Sequence, residues 1–413
     1  MPGTPYQPSY KRTLRLSAAA VLCLCVALYL WPVAVWAGLL AGEGGGRGDA
    51  AALTAAGERE ETGGAAVETG EGGMDGPAAA GTEAGDDGSN LPQTASRGLE
   101  RPRDGLPLVL GFYNEDYPGD GSSLESLRRH RQFLAGVAPF WYSIDQQGKV
   151  NYRGGERAEA IILAREAGMA VLGLFNNRGG TDRFLQDPWL RSVAVRGVLE
   201  TVEAEGLDGV NIDFELLEPS SRQGLCEFMA ELYPLLERRG KVVTISVSPK
   251  WLEDEHAQEW AFAYDYARLA GLADYLVIMT YDQHGAWSGP GPVAARDWVE
   301  RCVNFALGRV PADKILLGVA GYGYDWGGGS VRVVRAGEAD ELARSVGAEV
   351  VRDRASGEQT FSYRWQGSEH RVWWEDAASA REKVMLARRR GLAGIALWRL
   401  GQEEEGLWAA VCN

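Results

Sequence analysis

Between residues 208 and 215 the chain reads Asp-Gly-Val-Asn-Ile-Asp-Phe-Glu, a stretch in which polar and apolar side chains alternate. Along a β-strand, alternate residues share one face. Asn211, Asp213 and Glu215 therefore point together, while Val210, Ile212 and Phe214 point to the opposite side. Two carboxylates held so close and away from water are costly unless they share a proton or accept hydrogen bonds. Such coupling is expected to raise the pKa of Glu215 and keep it protonated as a general acid near neutral pH. The alternative is an edge strand with a solvated polar face, but the apolar residues on the other face need helices to cover them. Asp208 reads as a structural anchor where the strand begins.

From Leu108 onward, short apolar runs alternate with amphipathic stretches, the pattern of βα units on a parallel sheet. Strands are expected at Leu108–Tyr113, Gly136–Tyr142, Ala170–Asn176, Gly209–Phe214, Val242–Val247, Tyr275–Tyr281, Ile315–Tyr322 and Gly394–Trp398. Helices are expected at Leu124–Ala135, Arg157–Glu166, Leu190–Glu205, Arg222–Arg239, Trp298–Leu307 and Ala377–Arg390. This is an α/β chain whose eight strands suggest a closed (β/α)₈ barrel over residues 106–413, with reactive residues at the C-terminal ends of the strands. The stretch from Trp326 to Glu375 is too long for a βα loop. It reads as a small inserted α+β subdomain after the seventh strand, about 327–374.

Residues Leu16 to Leu40 form an almost unbroken apolar run behind Lys11, Arg12 and Arg15. That length spans a bilayer core of about 30 Å, and the basic flank keeps the N-terminus cytoplasmic. Residues 1–41 are thus expected to be a transmembrane signal anchor, with a cleaved signal peptide ending near Val35-Trp36-Ala37 as the alternative. Either way the rest of the chain is extracytoplasmic. Residues 42–105, rich in Gly, Ala and Glu, lack apolar periodicity and read as a disordered acidic tether. The net charge of −15 argues against nucleic acid as a partner, and roughly half of it falls in that tether. Five cysteines in no paired pattern and four histidines give neither a disulfide framework nor a metal site, so no cofactor is expected. The barrel is expected to work as a monomer.

The octet from Asp208 to Glu215 resembles the DxxDxDxE motif of glycoside hydrolase family 18, with Asn211 in place of the middle Asp. Met279-Thr280-Tyr281-Asp282 resembles the family's M-x-Y-D, and Trp398 matches the Trp that floors its sugar site. Pro139-Phe140-Trp141-Tyr142, Tyr281-Asp282-Gln283-His284, Gly321-Tyr322-Gly323-Tyr324-Asp325-Trp326 and Trp373-Trp374-Glu375-Asp376 are similar to the spore-germination, cortical-fragment-lytic branch. The resemblance covers about residues 108 to 411.

It implies a retaining mechanism without a protein nucleophile, an exception to the usual two-carboxylate scheme. Glu215 would protonate the glycosidic oxygen, the substrate's own 2-acetamido carbonyl would attack, and Asp213 would orient and stabilise the acetamide. Tyr281 would donate its hydroxyl to that carbonyl, and Trp398 would lie beneath the pyranose. Asn211 cannot share charge with Asp213, so the carboxylate relay is one member shorter. The substrate would be an N-acetylated glycan, either peptidoglycan or chitin. Relatives in the branch often carry small N-terminal peptidoglycan-binding repeats, which this chain lacks, so vegetative wall remodelling stands beside spore cortex as a role.

Asn211, Asp282, Trp398, Trp141 and Tyr322 are candidate substrate contacts. For most of them a plain structural role competes: strand-end support for Asp282, packing for Trp141, Trp287 and Trp326, and a turn for Asn176 and Asn177. Gln283, His284 and Tyr324 are further residues within reach of a sugar. Three functions remain: a peptidoglycan N-acetylglucosaminidase, a chitinase, or a non-catalytic glycan binder on the same barrel. The binder is disfavoured because Glu215, Asp213 and Tyr281 are all present.

Overall fold

The computed structural model describes residues 99–101, 106–117, 120–154, 157–255 and 258–412. The expected transmembrane segment, Cys23, Cys25 and the tether up to residue 98 lie outside them. Among the described residues no helix is long and apolar enough to cross a membrane.

The chain runs through β1 (Leu108–Tyr113), β2 (Gly136–Pro139), β3 (Tyr142–Ile144), β4 (Val150–Tyr152), β5 (Ala170–Asn177), β6 (Gly209–Asp213), β7 (Val242–Val247) and β8 (Tyr275–Ile278). It continues with β9 (Ile315–Ala320), β10 (Tyr322–Gly327), β11 (Ser330–Arg335), β12 (Val351–Arg352), β13 (Gln359–Trp365), β14 (Ser368–Trp374) and β15 (Gly394–Trp398). Strands β1, β2, β5, β6, β7, β8, β9 and β15 pair in parallel, and the β2–β5 pairing closes the ring. This is the expected eight-stranded barrel.

Helices cover it: α1 (Ser122–His130), α2 (Arg157–Glu166), α3 (Arg183–Gln186), α4 (Pro188–Ala204), α5 (Arg222–Glu237), α6 (Glu259–Phe262), α7 (Tyr266–Leu269) and α8 (Arg296–Leu307). Then follow α9 (Ala336–Val346), α10 (Ala377–Arg389) and α11 (Gly406–Cys412). Their starts are set by local chemistry. Asp187 caps α4 by accepting from the Trp189 and Leu190 amides, with Pro188 preset for the first turn. Asp376 and Ser379 form a reciprocal capping box on α10.

Strand alternation divides the apolar residues into two layers. Val210, Ile212 and Phe214 pack outward with the helices, and Phe214 meets Phe184 and Phe228 at centroid distances of 5.2 and 5.1 Å. Leu108, Leu110, Phe112, Leu172, Leu174 and Leu316 fill the barrel interior. Burying a side chain of Phe214's size stabilises by about 1.5–3 kcal/mol, so a one-residue slip of β6 would forfeit that and turn Asp213 out of the barrel.

Three expectations change. The second strand does not run unbroken to Tyr142: it stops at Pro139, and β3 resumes beside the upper half of β5. The inserted subdomain begins at Tyr322, because the strand expected over Ile315–Tyr322 breaks at Gly321. The Gly321 amide makes a last bond to Trp398 O (2.8 Å), and β10 then leaves to join a five-stranded antiparallel sheet ordered β11-β10-β14-β13-β12. Finally, Leu99, assigned to the tether, is buried against the barrel interior beside Gly136.

Candidate active site

The β6 side chains enter the barrel in tiers. Asp208, at the lower end, accepts the Val171 amide at 3.0 Å and ties β6 to β5. Asn211 is wholly enclosed: its Nδ2 donates to Thr244 Oγ1 at 2.8 Å and its Oδ1 accepts from Ser246 Oγ at 3.2 Å, both on β7. Both ends of the amide are thus committed one tier below the cleft. This corrects the expectation that Asn211 contacts substrate; it supports Ser246, whose hydroxyl in turn reaches Asp213.

Asp213 is 5% exposed, and burial pushes its carboxyl up to about 7 against the pull of the Ser246 hydrogen bond. Glu215 stands at the rim with a face open to the cleft. Its carboxyl is nevertheless hemmed in by protein, so lost hydration raises its pKa well above the ordinary value, and the negative charges of Asp213 and Asp282 add to the rise. The two carboxyls titrate as a pair that keeps a proton close to neutral pH.

The backbone at Glu215 is clamped from the side. Asn177 donates Nδ2–H to Glu215 O (2.8 Å) and accepts the Glu215 amide on Oδ1 (2.7 Å), while Tyr264 donates to Phe214 O (2.6 Å). Beyond the clamp, Leu216 takes φ +55°, which turns the chain away from the strand. Asn177 therefore holds the backbone at Glu215, a contact that no local pattern announced. Its neighbour Asn176 stands opposite Asp213 in the parallel register, with Oδ1 buried and unpartnered among the described residues.

Across the mouth, Tyr281 and Asp282 follow β8. Gly318 makes room for the tyrosine, since a Cβ there would lie 2.9 Å from Tyr281 Cε1 and 2.5 Å from Ile278 O. Asp282 takes φ +58° and receives the hydroxyls of Tyr322 and Tyr324, the latter at 2.8 Å, on one oxygen. Burial raises its pKa while those two donors oppose the rise. Tyr322 was expected to touch substrate; instead it is buried and its hydroxyl braces Asp282.

Trp398 projects inward and half-buried at the end of β15, edge-on to Phe112 (5.3 Å) and Phe140 (6.3 Å), and it packs against the Tyr281 cluster. The peptide bond that follows it is cis. Trp141 does not reach the cleft. It lies in the outer layer, 2% exposed, edge-on to Tyr113. Phe140 is the residue of that pair that faces inward, and the alternation continued from Ala138 carried that signal.

The loop after β8 is held by its own polar residues. Gln283 accepts the Ala295 amide on Oε1, and His284 Nδ1 sits 2.9 Å from Pro292 O, so each commits one polar atom within the loop. Glu358 of the insertion, fully buried, accepts the Val293 and Ala294 amides at 2.8 and 2.6 Å. Trp287 on the same loop is 62% exposed, whereas Trp326 is buried and donates to Gly285 O at 3.1 Å. Among the described residues no group of His, Cys, Asp or Glu is placed to hold a metal.

The C-terminal mouth of this parallel barrel thus gathers coupled carboxyls, a tyrosine and an inward tryptophan, the placement of an active site in barrel enzymes. Residues 174–403 match the model of the glycosyl hydrolases family 18, and the chain belongs to that family, in the branch with the cortical fragment-lytic enzymes. It is 26% identical to the uncharacterized glycosylase YvbX of Bacillus subtilis, over 71% of this chain and 88% of that one. It is 30% identical to the cortical fragment-lytic enzyme of the same organism, over 52% of each chain. The crystal structure of a chitinase from Chromobacterium violaceum superposes with a TM-score of 0.68 at 31% identity, over 74% of this chain and 98% of that one.

Proposed function

We propose that the protein is a retaining, substrate-assisted glycosidase that cleaves β-linked N-acetylated amino-sugar glycans, with peptidoglycan as its substrate. The observation that carries this reading is the coupled pair at the end of β6, in which Glu215 is raised well above the ordinary carboxyl range beside Asp213. A carboxylic acid that keeps its proton near neutral pH can deliver it to a leaving group.

In this mechanism Glu215 gives its proton to the glycosidic oxygen as the bond to the anomeric carbon breaks. The 2-acetamido carbonyl oxygen of the same sugar closes onto that carbon, forming an oxazolinium ring. Asp213 accepts the acetamide N–H and offsets the positive charge that develops on the ring, while Tyr281 donates to the carbonyl oxygen. Glu215, now a carboxylate, removes a proton from water as the water opens the ring, and retention follows from two inversions. Trp398 offers an apolar floor to the pyranose. Asn211, Ser246, Asn177 and Tyr322 hold the acting groups in place without contacting the sugar.

Peptidoglycan is favoured by likeness to the cortical fragment-lytic enzyme, and that relative also makes spore cortex or cell wall the setting. The second reading is a chitinase, favoured by likeness to the Chromobacterium violaceum structure over nearly its whole length. Digestion of purified peptidoglycan and of chitin oligomers by the full chain, beside Glu215→Gln, separates them. Mass spectrometry identifies the sugar at the new reducing end. We expect Glu215→Gln to lower kcat by about 10²–10⁴-fold. If the unaltered chain releases no product from either glycan, the protein is a binder and not a hydrolase.

A further inference from the structure

The insertion carries a cavity that this chemistry does not use. It has a volume of about 520 Å³ and is lined by Pro290 of the loop after β8, Trp326 of β10 and Arg364, Glu369 and Arg371 of the β13–β14 hairpin. A run of aromatic rings leads to it from the catalytic mouth. The centroids of Tyr281 and Tyr322 are 6.4 Å apart, those of Tyr322 and Tyr324 5.7 Å, and those of Tyr324 and Trp326 5.5 Å. The bond from Trp326 to Gly285 O fastens this wall to the loop that follows Asp282. The cavity therefore adjoins the cleft at a distance that a short glycan can bridge.

Its acidic and basic groups do not cancel. Asp325, buried, is satisfied within the insertion by Tyr363 Oη (2.7 Å), His370 Nδ1 (3.0 Å) and Arg332 Nη2 (3.0 Å). Glu369 pairs with Arg364 at 3.4 Å, and because both are exposed, solvent weakens that pair. Arg371 donates to Ser362 Oγ at 2.8 Å and lies over the Trp373 ring, and among the described residues it has no carboxylate partner. Its positive charge is therefore not neutralised by a neighbouring acid among the described residues, on a chain with 57 acidic and 42 basic residues. On the same face of the sheet Trp326 stands opposite Arg371 in the strand register, and the Trp373 ring lies 5.8 Å from its guanidinium. A guanidinium fork next to aromatic faces suits a carboxylate carried on an organic group.

We propose that this cavity binds a carboxylate-bearing substituent of the glycan, while neighbouring sugars of the same strand occupy the cleft at Glu215. Such a substituent is present on the muramic acid sugars of peptidoglycan, as a lactyl carboxylate or as the peptide attached to it, and is absent from chitin. The inference rests on the peptidoglycan reading of the site and supplies it with a means of choosing that polymer.

Titration calorimetry on the full chain tests it with three ligands of equal sugar length: a muropeptide, the same glycan stripped of peptide but retaining the lactyl carboxylate, and a chitin oligomer. The muropeptide should bind about ten-fold tighter than the chitin oligomer, in a salt-sensitive manner. Arg371→Glu, at an exposed position, should abolish that preference and leave chitin-oligomer binding as it was; Arg364→Glu should act in the same direction. The stripped glycan shows whether the lactyl group or the peptide is recognised. Equal affinity for all three ligands, or a preference that survives Arg371→Glu, overturns the proposal. Hydrolysis measured on the same samples judges the active-site reading separately, since binding preference at the cavity does not require turnover.

Discussion

At the residue scale, the reactivity of Glu215 is set by what surrounds it. Lost hydration and the charges of Asp213 and Asp282 all favour its protonated form. Removing one of those charges should lower its pKa. Asp282→Asn is therefore expected to move the alkaline limb of the kcat/KM profile to lower pH, as Glu215 gives up its proton sooner; an unmoved or upward-shifted limb would contradict this coupling. Asn177 acts by placement. With its two bonds to the Glu215 backbone gone, Asn177→Ala should displace the carboxyl and lower kcat by about 10²-fold with KM little changed. A loss confined to KM would mean that Asn177 serves binding instead. The period-2 alternation of β6 was enough to put Asp213 and Glu215 on one face, because facing is a local property of a strand. Asn177 and Glu215 lie 38 residues apart, and no local pattern reports that they meet.

At the scale of elements, the insertion and the loop after β8 are joined by a buried ionic cluster. Glu358 and Glu375 share one cation, Lys383 of α10, whose Nζ lies 2.7 Å from Glu375 Oε1 and 3.8 Å from Glu358 Oε1. Two carboxylates on one ammonium leave a net negative charge away from water. Burial, with the charge of Glu358, accordingly pushes Glu375 up to about 7 against the pull of Lys383. Its ordinary value is 4.5, so the folded state binds the proton more tightly than the unfolded chain does. The stability this adds is full below about pH 4.5 and is lost as pH rises through about 7. Lys383→Met removes the cation that both glutamates share and should destabilise by about 3–5 kcal/mol at pH 8, with a smaller loss at pH 5, where the glutamates can be neutral. Urea unfolding at the two pH values measures this, and an equal loss at both would refute the assignment. The β2–β3 break and the early start of the insertion belong to this scale too. An apolar run shows that a strand exists, but which neighbour it pairs with decides where it stops.

At the scale of the whole molecule, the barrel and its insertion share buried polar contacts as well as a chain. If the insertion unfolded alone, the Val293 and Ala294 amides and Lys383 would all lose Glu358. The cost of stranding those groups adds to that of exposing the small apolar core around Phe361, Val372 and Trp374. Calorimetry of the full chain should accordingly show one cooperative transition for barrel and insertion together. Two resolved transitions would mark the insertion as an independent unit.

The sequence by itself determined the eight parallel strands, the inward face of β6, and the carboxyl pair with Tyr281 and Trp398 at the strand ends. Each follows from alternation, from strand order or from motifs read within a few residues. Only the tertiary structure decided that Asn211 is enclosed beneath the cleft, that Phe140 and not Trp141 faces inward, and that Tyr322 spends its hydroxyl on Asp282. It alone brought Glu358 to a loop 65 residues away and set Arg371 beside Trp326. Those outcomes depend on which side chains from distant segments compete for the same donors, acceptors and space. That competition is resolved only when the barrel closes.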